Sequence, residues 1–222
     1  PTFSYQGILA SSVQDSGDQR AMWVALGDIN GDGKYDIIVA TPFKYSSSGY
    51  VFVGYGRISG NADIDLLTVD ISTRGFAIQG STSSWLGFST AGVGDLNNDG
   101  FHDIIVGAPY YSDSSLSRRG AVFVLRGHAA WQGVYELDSL LASSTADVYS
   151  VLGESSNNSF GYAVSKAGDF NGDRVMDFVV GAPTQHSDAC SGDSSECGVA
   201  YVVMGQRDLF SSGMPFDFQC ET

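Results

Sequence analysis

The sequence predicts an all-β protein of three four-stranded antiparallel β-propeller blades, either open at its ends or completed by another chain. Three observations carry this reading. An acidic nine-residue loop occurs three times, at 28–36, 95–103 and 169–177. Each copy runs into a short apolar stretch that ends at Pro42, Pro109 or Pro183. The loops recur at intervals of 67 (28 to 95) and 74 (95 to 169) residues, periods that mark repeat architectures. Four antiparallel strands per repeat make a propeller blade.

The elements follow in chain order. Residues 2–7 are similar to 76–80 and read as a fourth strand without its blade. The first strand of each repeat precedes its loop, at 21–24, 86–91 and 160–164, two of them carrying Gly87-Phe88 or Phe160-Gly161. The second strand follows the loop and is apolar almost throughout, through Val39, Val106 and Val180, as expected when both faces are covered. Third strands start at Gly49, Gly120 and Gly198, and fourth strands occupy 75–80, 148–153 and 216–220. Helical periodicity is nowhere sustained, although 137–142 suits a turn or two of helix. The whole reads as one domain over 1–222: an N-terminal strand and link (1–19), then blades at 20–83, 84–153 and 154–222.

The loops point to a hard cation. Loop positions 1, 3 and 5 are Asp28, Asn30 and Asp32; Asp95, Asn97 and Asp99; Asp169, Asn171 and Asp173. Position 9 is Asp36, Asp103 or Asp177, and the backbone carbonyl at position 7 belongs to Lys34, Phe101 or Val175. Calcium takes six to eight oxygens of these kinds in a forgiving geometry, whereas magnesium demands a stricter octahedron. The loops contain no sulfur or imidazole ligand position, which argues against zinc. The opening resembles an EF-hand loop, but position 12 is Val39, Val106 or Val180 where that loop needs a bidentate Glu, and strands replace the flanking helices. Up to three Ca²⁺ ions are expected. The third site should be weakest, because Arg174 stands at position 6, where Gly33 and Gly100 meet a positive φ that costs other residues about 1 kcal/mol.

This phrase, from Phe-Gly through the Asp loop to Val106-Gly107-Ala108-Pro109, resembles the FG-GAP repeats of the integrin α-subunit β-propeller over about residues 20–205. The first repeat departs from it with Ala40-Thr41-Pro42, and the third with Arg174. The resemblance implies calcium at the first-to-second strand loops, a cell-surface or secreted location, and recognition or adhesion. Propellers close with about four to eight blades, so three repeats are either a slice of a longer protein or are completed by further copies.

Formal net charge is −14, which excludes nucleic acid as a partner. Nine of the 25 acidic residues lie in the loops, where two like charges about 4 Å apart repel by about 4 kcal/mol at an effective dielectric of 20. The chain starts at Pro1 and reads as processed or trimmed, with neither signal segment nor membrane span in it. Cys190 and Cys197 are close enough in sequence for a local disulfide, leaving Cys220 over, and Asn157 opens a glycosylation sequon. The face opposite the loops carries Phe43, Tyr45, Tyr110, Tyr111, Arg118, Arg119 and His186, residue types frequent at binding hot spots. His102, His128 and His186 are scattered with no nucleophile beside them, so no enzyme activity is expected. A protein partner or further copies of the chain come first. A glycan partner, with Trp85 and Trp131 as platforms, and an appendage of a surface hydrolase are the alternatives.

Overall fold

The structure is a computed structural model that describes residues 8–9, 23–56, 64–65, 71–143, 145, 147–185 and 198–207. Its strands are β1 (Ile8–Leu9), β2 (Trp23–Gly27), β3 (Asp36–Thr41), β4 (Tyr50–Gly54), β5 (Ile64–Asp65), β6 (Gly75–Gln79) and β7 (Ser89–Gly94). Then come β8 (Asp103–Ala108), β9 (Ala121–Leu125), β10 (Gly133–Glu136), β11 (Val148–Leu152), β12 (Ala163–Gly168), β13 (Asp177–Ala182) and β14 (Val199–Val203). The first blade orders β2-β3-β4-β6, the second β7-β8-β9-β11, and the third β12-β13-β14, each antiparallel. Inner strands β2, β7 and β12 lie beside one another. The expected fourth strand of the third blade, 216–220, the N-terminal 2–7, Cys190, Cys197, Cys220 and His186 lie outside the described residues.

Two apolar layers join the blades. Along β8 successive side chains point to opposite faces. Ile104 and Val106 meet Ile38, Val51, Val53, Phe76 and Ile78 of the first blade. Ile105, between them, meets Phe178, Val180, Tyr201 and Val203 of the third. This explains why the second strand is apolar at every step. Full burial of one such side chain stabilises by about 1.5–3 kcal/mol. The backbones close in as well: Gly49 bridges Leu86, and Gly120 bridges Phe160, of the following blade. A Cβ on Gly49, at φ +86°, would stand 2.1 Å from the Leu86 carbonyl oxygen, so only glycine fits.

Several short elements have no counterpart in the sequence reading, among them Ile64–Asp65 and the single helical turns Lys44–Ser47 and Ile71–Arg74, and β10 is the one that matters for packing. β10, from the second repeat, pairs parallel with β6 and becomes a fifth strand on the first blade. Trp131 leads into it, stacked on Phe76 with ring centroids 4.7 Å apart. Its Nε1–H donates to the Arg126 carbonyl at 2.7 Å, and its own carbonyl accepts from Tyr55 Oη–H. The short helix Leu137–Ala142 follows, burying Leu137 and Leu140. The strap covers the outer edge of the first blade, where unpaired backbone would otherwise invite another chain. Trp131 is 1% exposed, so it offers no platform to a sugar. Among the described residues no helix is long and apolar enough to cross a membrane.

Trp131→Ala should cost about 3–5 kcal/mol in urea unfolding, because it empties the layer between the strap and Phe76. A loss below about 1 kcal/mol would mean that the strap adds little to this joint.

Candidate metal centres

Each acidic loop starts where an inner strand ends, after Gly27, Gly94 or Gly168, and stops at the first residue of the next strand, Asp36, Asp103 or Asp177. The turn needs left-handed backbone twice. Position 6 has φ of +81° at Gly33, +94° at Gly100 and +70° at Arg174, as the sequence predicts. Position 4 is left-handed too, at Gly31, Asn98 and Gly172. Asn tolerates that region and Gly favours it.

Inside the loop, the side chains at 1, 3 and 5 turn inward onto loop amides, identically in all three copies. Position-1 Oδ2 accepts the N–H of position 6 (Gly33 to Asp28, 3.0 Å; Gly100 to Asp95, 2.8 Å; Arg174 to Asp169, 2.9 Å). Position-3 Oδ1 accepts from position 5 (Asp32 to Asn30, 3.1 Å; Asp99 to Asn97, 3.1 Å; Asp173 to Asn171, 3.0 Å). Position-5 Oδ1 accepts from position 7 (Lys34 to Asp32, 3.0 Å; Phe101 to Asp99, 3.1 Å; Val175 to Asp173, 2.8 Å). These short side chains copy a backbone turn, which is why the sequence folds here without regular structure.

Position 9 does something different. Asp36, Asp103 and Asp177 are fully buried. One oxygen of each accepts the N–H of loop position 2: Ile29 at 2.8 Å, Leu96 at 2.8 Å, Phe170 at 2.6 Å. The other accepts from a glycine just past the third strand: Gly56 at 2.9 Å, Gly127 at 2.8 Å, Gly205 at 2.8 Å. The carboxylate is thus a strut between loop, second strand and third strand. Sequence reasoning missed its partners, although a glycine 20, 24 or 28 residues after that Asp was the available signal.

Charge is crowded at these points. Burial pushes the Asp103 carboxyl up to about 7, with the charges of Asp99 and Asp95 adding to it and the N–H groups of Gly127 and Leu96 opposing. Burial raises Asp36 as well. The side-chain hydrogen bond from Lys34, at 3.0 Å, lowers Asp32. Burial works against the charge of Asp99, but hydrogen bonds from Asn97 and from Arg126 Nε–H, 2.8 Å away, outweigh it and lower its pKa. His102, at position 8, reaches back to the preceding loop: its N–H donates to the Asp28 carbonyl at 3.0 Å, and its Nδ1 accepts the Asp28 N–H at 3.2 Å.

Among the described residues, no three His, Cys, Asp or Glu side chains form a metal-holding cluster by themselves. The position-9 carboxylates already accept the amides of loop position 2 and of the glycine past the third strand, so an ion site would also need the Asn side chain and the position-7 carbonyl in its donor set. That all-oxygen set suits a hard divalent ion. One atom also asks for a partner: Asp28 Oδ1 is buried with no hydrogen bond, a costly state unless a cation meets it.

On the opposite face the residues named from sequence divide. Trp85 has ring centroids 5.1 Å from Phe43, 3.9 Å from Tyr110 and 5.7 Å from Phe88. Phe88 continues to Tyr162 at 4.7 Å, and Arg118 lies 5.3 Å over Tyr110. An aromatic row therefore crosses three blades. Lys44 covers Tyr45 and Tyr50 at 4.9 and 4.3 Å. Tyr111 instead packs edge-on against core Phe123, and Arg119 bonds Asp113 and the Gly153 carbonyl, so these two are structural. Asn157 is exposed, at φ +62°.

A family model described as FG-GAP repeat matches residues 21–53, 87–125 and 160–193. Integrin alpha-7 of Mus musculus is 34% identical over 163 residues, 72% of this chain and 12% of that protein. Integrin alpha-PS3 of Drosophila melanogaster is 28% identical over 162 residues (70% and 13%). Integrin alpha pat-2 of Caenorhabditis elegans is 28% identical over 191 residues (86% and 14%). The chain thus spans 12% to 14% of the length of these relatives.

Asp177→Ala removes the acceptor of two amides at once. In chelator, where no ion can contribute, it should still lose about 2–6 kcal/mol in urea unfolding, since each stranded amide costs about 1–3 kcal/mol. Equal stability of variant and parent in chelator would reduce position 9 to a ligand alone.

Proposed function

Because this chain carries FG-GAP repeats of the integrin α-subunit propeller type, we propose that it is a non-catalytic, calcium-binding propeller module acting in adhesion at the cell surface. Its partner is another protein or a further copy of itself. The observation that carries the reading is threefold repetition of one donor set in one hydrogen-bonded geometry, with the Asp28 oxygen left unpartnered beside it.

Three oxygen-rich loops on one side would hold the ions through Asp28, Asn30, Asp32, Asp36 and the Lys34 carbonyl, and through the matching residues of the second and third loops. Bound Ca²⁺ supplies positive charge where carboxylates crowd and so fixes the loop ends of the blades. Extracellular modules hold calcium weakly, at dissociation constants of about 10⁻⁴–10⁻³ M, which suits a structural ion under constant supply. The opposite side, with Tyr110, Arg118, Phe43 and Tyr45, then serves protein contact. Tyr and Arg enrich such surfaces. Exposure of Asn157 suits glycosylation there, and a Cys190–Cys197 bridge would pin the adjoining loop; both fit a secreted route.

Addition of millimolar calcium to chelator-treated protein should raise Tm clearly, and calorimetric titration should resolve a weaker third site. Arg174→Gly should strengthen that site and add about 1 kcal/mol of stability by relieving its left-handed backbone. An unchanged Tm with calcium would sink the ion assignment.

A further inference from the structure

Position-by-position comparison of the blades leaves one inequality. Loop position 2 is Ile29, Leu96 and Phe170; the first two are fully buried in the layers beneath the following blade, but Phe170 is 66% exposed. The third strand repeats this. Val51, Val53, Val122 and Val124 are buried, whereas Ala200 and Val202, at the matching places, are exposed.

The first blade has the reciprocal gap. Position 8 of the second and third loops, His102 and Met176, donates its N–H to the carbonyl of Asp28 and Asp95 in the preceding loop. Tyr35 holds the same place in the first loop and is 67% exposed. On β2, Val24 and Leu26 are 60% and 58% exposed. Strand register equates them with Thr90, which is buried, and with Gly92, where a Cβ would stand 2.2 Å from a carbonyl of the preceding blade. Farther out on the same side Val39 and Phe52 are already buried, so the free area is confined to the inner, loop-side part of the blade.

We propose that these two patches are halves of one joint, closed by a second copy of this chain. Phe170 of one copy seats against Leu26 and Tyr35 of the next, and the Asp169 carbonyl receives the Tyr35 N–H. That repeats the rule of both internal joints, which is why a second copy is the fitting occupant. The contact is heterologous, so it closes into a ring or runs on as a filament. Two copies closing on each other give six blades, within the range of about four to eight that propellers use. Tyr35 and Phe170 both sit in acidic loops, and each chain carries a net charge of −14. The joint therefore tightens when the loops are neutralised, and depends on calcium. Its calcium dependence rests on the function proposed above, but the contact itself does not.

Sedimentation velocity of the purified 222-residue chain in millimolar calcium and physiological salt tests this. The expected particle has at least twice the chain mass of 23.5 kDa. Phe170→Ser and Leu26→Ser should each weaken association roughly tenfold or more, as loss of a buried anchor does, with circular dichroism unchanged because both side chains are exposed in the single chain. A wild-type chain that stays at the single-chain mass over a wide concentration range overturns the joint, as does an oligomer indifferent to both substitutions. A single-chain particle whose Phe170 becomes protected only in a longer polypeptide makes a further blade the occupant and also overturns it. Calcium-raised Tm without association leaves the ion assignment standing while the joint falls. Phe170-dependent association without any calcium effect on Tm does the reverse.

Discussion

A buried carboxylate shared between two backbone amides is the interaction on which this architecture rests. Asp36, Asp103 and Asp177 each join an acidic loop to the glycine that follows the third strand. Hydrogen bonds to a charged acceptor contribute about 1.5–3 kcal/mol each, and here they oppose, without cancelling, the burial that raises Asp36 and Asp103. Because the carboxylate is the first residue of the second strand, it sets where strand pairing begins and where the loop must end. The loop is then held at both ends, and its three inward side chains have little choice but to fold over their own amides.

From that strut the two sides of the molecule acquire different chemistry. On the loop side, charge is concentrated and partly neutralised from within, by Lys34 on Asp32 and by Arg126 on Asp99. Arg126 also ties the second loop to the strap, through its carbonyl and the Trp131 indole. Charge at the loop and packing between blades are therefore linked by one residue. The other side carries little of this charge: aromatic rings run across three blades around Trp85, with Lys44 and Arg118 set over them. This separation of acidic loops from aromatic rings supports the reading proposed above, in which ions would sit on one side and a protein partner on the other.

Much of this was legible from residues alone, for identifiable reasons. Loop and strand positions repeat, so chance resemblance at one copy is checked by two others; the second and third strands of each repeat, the left-handed position 6 and helix 137–142 are found, while the first strands begin at Trp23, Ser89 and Ala163, two to three residues later than expected. What escaped was either non-local or unpatterned. β10 has four residues of alternating burial and occurs once, leaving no periodicity to find. The role of Trp131 depends on stacking with Phe76, far off in sequence. The strut escaped for another reason: an Asp at loop position 9 reads as an ion ligand, and the amides it meets are brought to it only by the fold. Tyr111 and Arg119 looked like contact residues, because composition cannot separate a ring on the surface from one turned onto Phe123.

Amide hydrogen exchange at Gly56, Gly127 and Gly205 tests the strut most directly. With calcium chelated, these three amides should remain strongly protected, exchanging as slowly as those of β3, β8 and β13. Exchange at the speed of exposed loop amides, with protection returning only on addition of calcium, would contradict it and make the ion, rather than the buried carboxylate, the origin of blade order.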